Sequence, residues 1–313
     1  MRQLIVMENE DAGNCADEFD MFREPDDFRP KTPPPQVLRV PYDFSGHGST
    51  TMLLHAEQAG RSTSEELKIH LLGSHPLWGH HLWNASLDMS RYLQAHAATL
   101  LDGKAVLELG AAAGIPSIVC AREGAKLVVA TDYPDKELIE VLRRNMDENS
   151  ASSAQSGNIV VTEGYLWGSG DAQIKSHLFS TEGLPRDGFE LLLLSDLIFN
   201  HQAHDALLTS MSSCLTQTAR ASASVDPSDL TQSFTQLFSH DEINLAFPEN
   251  LELDEFTKHL PTTPCVLVFF THHRPRLAHR DMEFFVKAKE QGWAVERVGR
   301  WRRSVSLAEC LSY

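Results

Sequence analysis

The chain has 313 residues, 42% apolar and 22% charged, a composition that suits a globular protein burying about 75% of its unfolded surface. Its 43 Asp and Glu outweigh 27 Lys and Arg, and the formal charge of −16 disfavours a phosphate backbone as partner. No apolar stretch approaches the roughly 18 residues of a membrane-spanning helix, and acidic Glu8 interrupts any signal-peptide core. Five scattered cysteines (Cys15, Cys120, Cys214, Cys265, Cys310) form neither a close pair nor a zinc spacing, which fits thiols held reduced in the cytoplasm. No metal, no membrane and no nucleic acid are expected.

In chain order, residues 1–36 come first. They hold nine acidic residues between Glu8 and Asp27, then Pro30 and Pro33 to Pro35, too little apolar surface to offset chain entropy. A disordered acidic arm is predicted, with Phe19, Phe22 and Phe28 as its aromatic exceptions. Residues 37–313 read as one α/β domain. Leu87, Met89, Tyr92, Leu93, Ala97 and Leu100 recur at helical spacing and predict one amphipathic helix over 86–101, closed by Asp102-Gly103. Short apolar runs then alternate with helical stretches. Strands are predicted at 105–109, 127–130, 159–162, 191–194 and 266–270, and helices at 115–123, 136–148, 203–215 and 281–291. Continuously apolar strands are buried on both faces, so the alternation predicts a mostly parallel sheet in a three-layer, Rossmann-like α/β sandwich. Residues 216–264 break the pattern and read as a surface insertion.

The chemistry concentrates in Val106-Leu-Glu-Leu-Gly110-Ala-Ala-Ala-Gly114-Ile-Pro-Ser117, a strand that delivers Glu108 into a small-residue turn opening a helix. Gly110 and Gly114 permit close backbone approach, and the helix start offers free N–H groups. The next strand ends in Thr131-Asp132, where a carboxylate about 20 residues past a glycine-rich turn can hold a ribose. Glu108, two residues before Gly110, would repel a pyrophosphate and suits a cationic ligand.

This Glu-x-Gly-x-Ala-x-Gly order resembles the first motif of the class I, seven-β-strand methyltransferases, whose cofactor is S-adenosyl-L-methionine. Ala112 stands where many of them have glycine. Two tryptophan segments, Pro76-Leu-Trp78-Gly-His-His-Leu-Trp83-Asn-Ala85 and Gly164-Tyr-Leu-Trp167-Gly168, narrow the likeness to the lysine-methyltransferase-like group. Within it, the chain resembles the fungal branch that methylates the N-terminus of translation elongation factor 1-alpha, formerly called nicotinamide N-methyltransferase-like. The resemblance implies a mostly parallel seven-stranded sheet. It also implies cofactor contacts at Trp83, Glu108, Gly110, Ala111, Ala112, Gly114, Asp132, Trp167 and Ser195, with Trp78 a further candidate. Asp196 and Phe199, in Ser195-Asp196-Leu-Ile-Phe199-Asn200-His201, match the acid-x-x-aromatic motif lining the amine channel and are the catalytic candidates. The alternative for Asp196 or Asn200 is to cap the following helix. Thr271-His272-His273-Arg274-Pro275 and Asp281-x-x-Phe284-Phe285 also resemble the branch, and His272 and His273 offer imidazoles that titrate near neutrality. After the sixth strand the relatives continue through an acidic loop into a last antiparallel strand, whereas this chain runs Gly299-Arg-Trp-Arg-Arg-Ser-Val. The final hairpin is expected to be altered or missing.

The implied activity is protein N-methylation of the terminal glycine amine and adjacent lysine of elongation factor 1-alpha, by a monomer. The alternatives are a small-molecule, nicotinamide-type amine methyltransferase, or a catalytically impaired scaffold that only binds cofactor.

Overall fold

A computed structural model describes residues 33–42, 65–150, 157–216 and 262–295. The predicted arm (residues 1–32 of it), most of the predicted insertion (217–261) and the altered end (296–313) lie outside the described residues.

Strands β3 (Ala105–Leu109), β4 (Leu127–Asp132), β5 (Ile159–Gly164), β6 (Leu191–Ser195) and β7 (Cys265–Phe269) form one parallel sheet in the order β5-β4-β3-β6-β7. Successive strand residues point to opposite faces, and both faces are covered. Val106, Val128, Ala130, Leu191, Leu193 and Leu267 pack into one cluster with α1 (Asn84–Ala95), α3 (Ile115–Arg122) and α4 (Lys136–Asn149). Leu107, Leu109, Leu127, Val129, Leu192 and Leu194 join a second cluster with α5 (Ala172–Phe179), α6 (His204–Cys214) and α7 (Ala278–Glu290). Full burial on two sides is why these strands read as unbroken apolar runs, and the three-layer, Rossmann-like sandwich follows. Five of the seven strands expected of the sheet lie among the described residues. No helix of the described residues is long and apolar enough to cross a membrane.

The chain steps from β3 outward to β4 and β5, then returns to the other side of β3 for β6 and β7. The order reverses between β3 and β6, and an open α/β sheet has its crevice outside the carboxyl ends of the strands at such a point. Glu108, Asp132, Ser195 and Asp196 all sit at those ends.

The single helix predicted over 86–101 is two pieces, α1 and α2 (Ala97–Leu100). His96 separates them by leaving the helical region (φ −119°, ψ 21°), with its ring edge-on to Tyr92 at 4.5 Å. Neither glycine nor proline marks this break.

An antiparallel ribbon, β1 (Gln36–Pro41) with β2 (Glu66–Leu71), precedes the sheet. Its attachment is specific. On α4, Asn145 Oδ1 accepts the His70 N–H at 2.8 Å while Nδ2 donates to the His70 carbonyl at 3.0 Å. One turn later, Asn149 repeats the pattern with Lys68, accepting from its N–H at 2.8 Å and donating to its carbonyl at 2.9 Å. Two amides spaced i, i+4 on one helix face thus pair with the open edge of β2 as a third strand would. Asn145 Nδ2 also donates to the Ala113 carbonyl in the turn after β3, at 3.1 Å. Asn145→Ala leaves those backbone groups unpaired in a buried place, and a loss of about 3 kcal/mol is expected in a denaturant unfolding experiment.

Candidate active site

The turn between β3 and α3 is wound tightly by residues in left-handed conformations: Gly110 (φ 65°), Ala112 (φ 46°) and Gly114 (φ 77°). A Cβ at Gly110 would lie 2.7 Å from Leu197 Cδ2 and 3.0 Å from Trp167 Cζ2, so glycine lets the Trp167 indole close over the turn. At Gly114 the missing Cβ faces Leu142 and Met146 of α4, which makes this glycine a close-packing residue rather than a ligand cradle. Ala112 holds a conformation costing a residue with a Cβ roughly 1–2 kcal/mol. Asp132 pins it there: Oδ2 accepts the Ala112 N–H at 2.7 Å, and Oδ1 accepts the Tyr133 N–H at 2.7 Å. Burial holds the Asp132 carboxyl above its ordinary range, against the pull of those two N–H donors. The tip of β4 thereby sets the shape of the turn after β3.

Three buried oxygens near this turn have no hydrogen-bond partner among the described residues: Glu108 Oε1, Ser195 Oγ and Asp196 Oδ2. A buried acceptor left empty costs about 1–3 kcal/mol, so three together mark a place built for something polar. Glu108 is anchored through its other oxygen, which accepts the N–H and hydroxyl of Ser117 at the start of α3. Burial pushes its carboxyl up to about 8, with the Asp132 charge adding to the rise and the Ser117 donors opposing it.

Burial thus favours the protonated Glu108 near neutrality in the ligand-free protein, whereas a cationic ligand requires the carboxylate, so binding is expected to expel a proton. Affinity for such a ligand is expected to fall by up to about tenfold per unit as pH drops from 7.5 to 6. Glu108→Gln should flatten that slope, and calorimetry in buffers of different ionisation heat checks the proton count.

At the end of β6, Asp196 is 3% exposed and takes a left-handed backbone (φ 58°), with its N–H donated to the Phe269 carbonyl on β7 at 2.7 Å. Its side chain caps no helix. Oδ1 accepts the Thr271 N–H at 3.0 Å and pairs with His273 Nε2 at 2.9 Å, while Oδ2 stays free. Asn200, at the start of the 3-10 turn His201–Ala203, makes no side-chain capping bond either. Strain in a non-glycine residue at a strand end commonly accompanies a functional site. Around Asp196 stands an aromatic wall: Trp83 stacks on Phe199 at 5.8 Å, and the His273 ring meets both edge-on, at 5.0 and 5.4 Å.

A cavity lined by His81, Trp83, Ser86, Gly110, Ala111, Ala112, Ala113 and Ser195 lies between these groups. Of the predicted residues, Trp83, Gly110, Ala111, Ala112 and Ser195 line it. Trp167 covers Gly110, and Asp196 and Phe199 join it through the Trp83 wall. Glu108 and Asp132 brace the turn from behind, and Gly114 faces the core. Trp78 is not in the lining but packs behind it: it is 46% exposed, in a left-handed conformation (φ 63°), stacked on His80 and His81 and edge-on to Trp83. Ala113, inside the glycine-alanine turn, and His81 and Ser86 are lining residues the motif reading did not single out; the latter two stand by the tryptophans. They sit in or beside the Trp78 to Trp83 segment, so proximity to it was the available signal. Among the described residues no group of three or more His, Cys, Asp or Glu could hold a metal ion.

The lysine methyltransferase family matches residues 61–229 of this chain, more than half its length. The chain belongs to that family. It is similar to the protein N-terminal and lysine N-methyltransferase efm7 of Schizosaccharomyces pombe, 34% identical over 95% of this chain and 91% of the relative. A Cryptococcus neoformans protein of the same name is 35% identical over 91% of this chain and 82% of its own. Among solved structures, Arabidopsis thaliana protein arginine methyltransferase 10 shares 17% identity over 43% of this chain and 34% of that one, at a TM-score of 0.31, too slight a likeness to reason from.

As a lysine methyltransferase family member the chain is an enzyme that uses S-adenosylmethionine. The residues present fit that cofactor. Its cationic amine and sulfonium need acceptors, and the unpartnered buried oxygens of Glu108 and Ser195 stand at the ends of adjacent strands β3 and β6. Gly110 to Ala113 give a wall without bulk, and the Trp83 and Trp167 indoles offer apolar faces.

Proposed function

We propose that this methyltransferase modifies the N-terminal glycine α-amine, and the lysine next to it, of translation elongation factor 1-alpha. The reading is carried by Asp196. It is a buried carboxylate, fixed by two donors through one oxygen and unpartnered at the other among the described residues, beside an aromatic wall whose Trp83 lines the cavity. An empty Oδ2 there suits one N–H of an incoming amine and the charge that grows on nitrogen as the methyl arrives. The names of the relatives, protein N-terminal and lysine N-methyltransferases, support a protein amine as acceptor. The formal charge of −16 favours encounter with a basic protein.

Bound S-adenosylmethionine supplies a sulfonium methyl group. The chain's own residues do the rest. Asp132 and Glu108 hold the turn in shape, and Ser195 accepts a hydrogen bond inside the cavity. Trp83 and Phe199 exclude water and confine the amine's approach, and Asp196 orients it. Alignment of this kind supplies roughly 7–11 kcal/mol in favourable cases. We place the reaction in the cytoplasm and assign it to a monomer, with residues 37–313 as the catalytic domain, 1–36 as an acidic arm and 216–264 as a surface insertion.

The test is mass spectrometry of elongation factor 1-alpha after incubation with purified protein and S-adenosylmethionine. Methyl groups on the terminal glycine and adjacent lysine are expected. Transfer to nicotinamide instead would favour a small-molecule enzyme, and cofactor binding with no transfer to either would leave a scaffold.

A further inference from the structure

His273 is a hydrogen-bond partner of Asp196, the carboxylate proposed to orient the incoming amine. Its Nε2 lies 2.9 Å from Asp196 Oδ1. A carboxylate only accepts, so Nε2 carries the proton of this pair and Nδ1 keeps its lone pair. The structure gives Nδ1 no hydrogen-bond partner among the described residues. The ring packs edge-on against both Trp83 and Phe199 in the aromatic wall. The side chain is 28% exposed, enough for a proton taken up there to pass on to water. The loop carrying it is fixed from the other side. His272 turns the opposite way, with Nδ1 2.7 Å from Asp281 Oδ2, and the same buried carboxylate holds His201 Nε2 at 2.6 Å through Oδ1. Adjacent histidines are thus each pinned by a different buried carboxylate, and the imidazole of His273 is set before any substrate arrives.

We propose that His273 is the proton acceptor of the methyl transfer, oriented by Asp196. The incoming ammonium gives one proton to Nδ1, directly or through one water. The N–H bond breaks, an imidazole N–H bond forms, and the imidazolium is stabilised by Asp196 until it releases the proton to solvent. The freed nitrogen lone pair then forms the N–C bond as the S–C bond breaks, and the positive charge moves from sulfur to nitrogen. This deepens the reading of the substrate as a protein α-amine and its neighbouring lysine, and rests on it.

The test compares wild type with His273→Gln on elongation factor 1-alpha, following each site by mass spectrometry at pH 7 and pH 9. Glutamine keeps an N–H for Asp196 Oδ1 but is no base. The variant should then depend on amine already neutral in solution. For an α-amine titrating at about 7.7–8.0, its deficit should reach roughly 6- to 11-fold at pH 7 and shrink below about twofold at pH 9. For lysine near 10.4, the deficit should approach roughly 10³-fold at pH 7 and remain about 25-fold at pH 9. Calorimetry should give the variant the wild-type affinity for S-adenosylmethionine, showing that the site is intact. Nitrogen NMR of the His273 ring should show Nε2 protonated and Nδ1 bare. A deficit unchanged between pH 7 and 9, or none at pH 7, overturns the proposal and leaves the substrate reading standing. A wild-type enzyme inactive on this substrate overturns the substrate reading, and a protonated Nδ1 in the NMR spectrum overturns the role of His273 whatever the substrate.

Discussion

Asp196→Asn is expected to lower methyl transfer by roughly 10²–10³-fold, the range seen when one preorganised electrostatic group is removed from a reacting centre. The affinity for S-adenosylmethionine should stay within about threefold, because the cavity lining and the braces of the turn are untouched. Asparagine is the informative replacement. It tolerates the left-handed backbone that Asp196 adopts (φ 58°), whereas alanine adds strain to the chemical change. Its carbonyl can still accept the Thr271 N–H, but its NH2 group replaces an acceptor, and it has no charge to offer the forming ammonium. Steady-state kinetics with elongation factor 1-alpha, set beside cofactor calorimetry, separates the two quantities. A variant that turns over at the wild-type rate would take Asp196 out of the reaction.

Asp132→Ala should weaken S-adenosylmethionine binding by at least about 100-fold. Beyond bracing the turn, Asp132 is proposed to accept two charge-assisted hydrogen bonds from the cofactor ribose, each contributing about 1.5–3 kcal/mol, and their loss corresponds to that factor or more. Alanine also releases the Ala112 N–H, so the turn itself loosens. Asp132→Asn separates the two effects. The amide oxygen can keep the Ala112 contact while the charge is gone, and an intermediate loss near tenfold is expected. Calorimetry on both variants decides, and an asparagine variant that binds as wild type does would make Asp132 an anchor of the turn only.

The sheet was legible for a physical reason. Leu191 to Leu194 and Val106 to Leu109 are buried on both faces, so burial wrote itself into the sequence as apolar runs. Strands β1 and β2 escaped because their order comes from elsewhere. Lys68 and Arg39 make them look like surface, and the groups that hold β2, Asn145 and Asn149, come 75 and 81 residues after their partners His70 and Lys68. Helix α5 buries only Ile174 and Leu178, too few apolar positions to show a period. The position of Glu108, Asp132, Ser195 and Asp196 at the carboxyl ends of β3, β4 and β6 was legible because strand ends show a change from apolar to polar residues. The pairing of Asp196 with His273 was not, since the two residues meet only through the parallel register of β6 with β7. The break at His96 had no sequence mark, and the packing role of Gly114 depended on Leu142 and Met146 arriving from α4.

The Asn145 amide binds the ribbon and the cofactor turn at once, through the His70 and Ala113 carbonyls. On β2 the Asn145 and Asn149 amides meet only main-chain N–H and C=O groups, which any sequence supplies, so at these two points the ribbon is held by its register and not by its side chains. A ribbon grafted from a relative is therefore accepted so long as positions 145 and 149 stay asparagine, and the seam to respect runs through space between helix and ribbon.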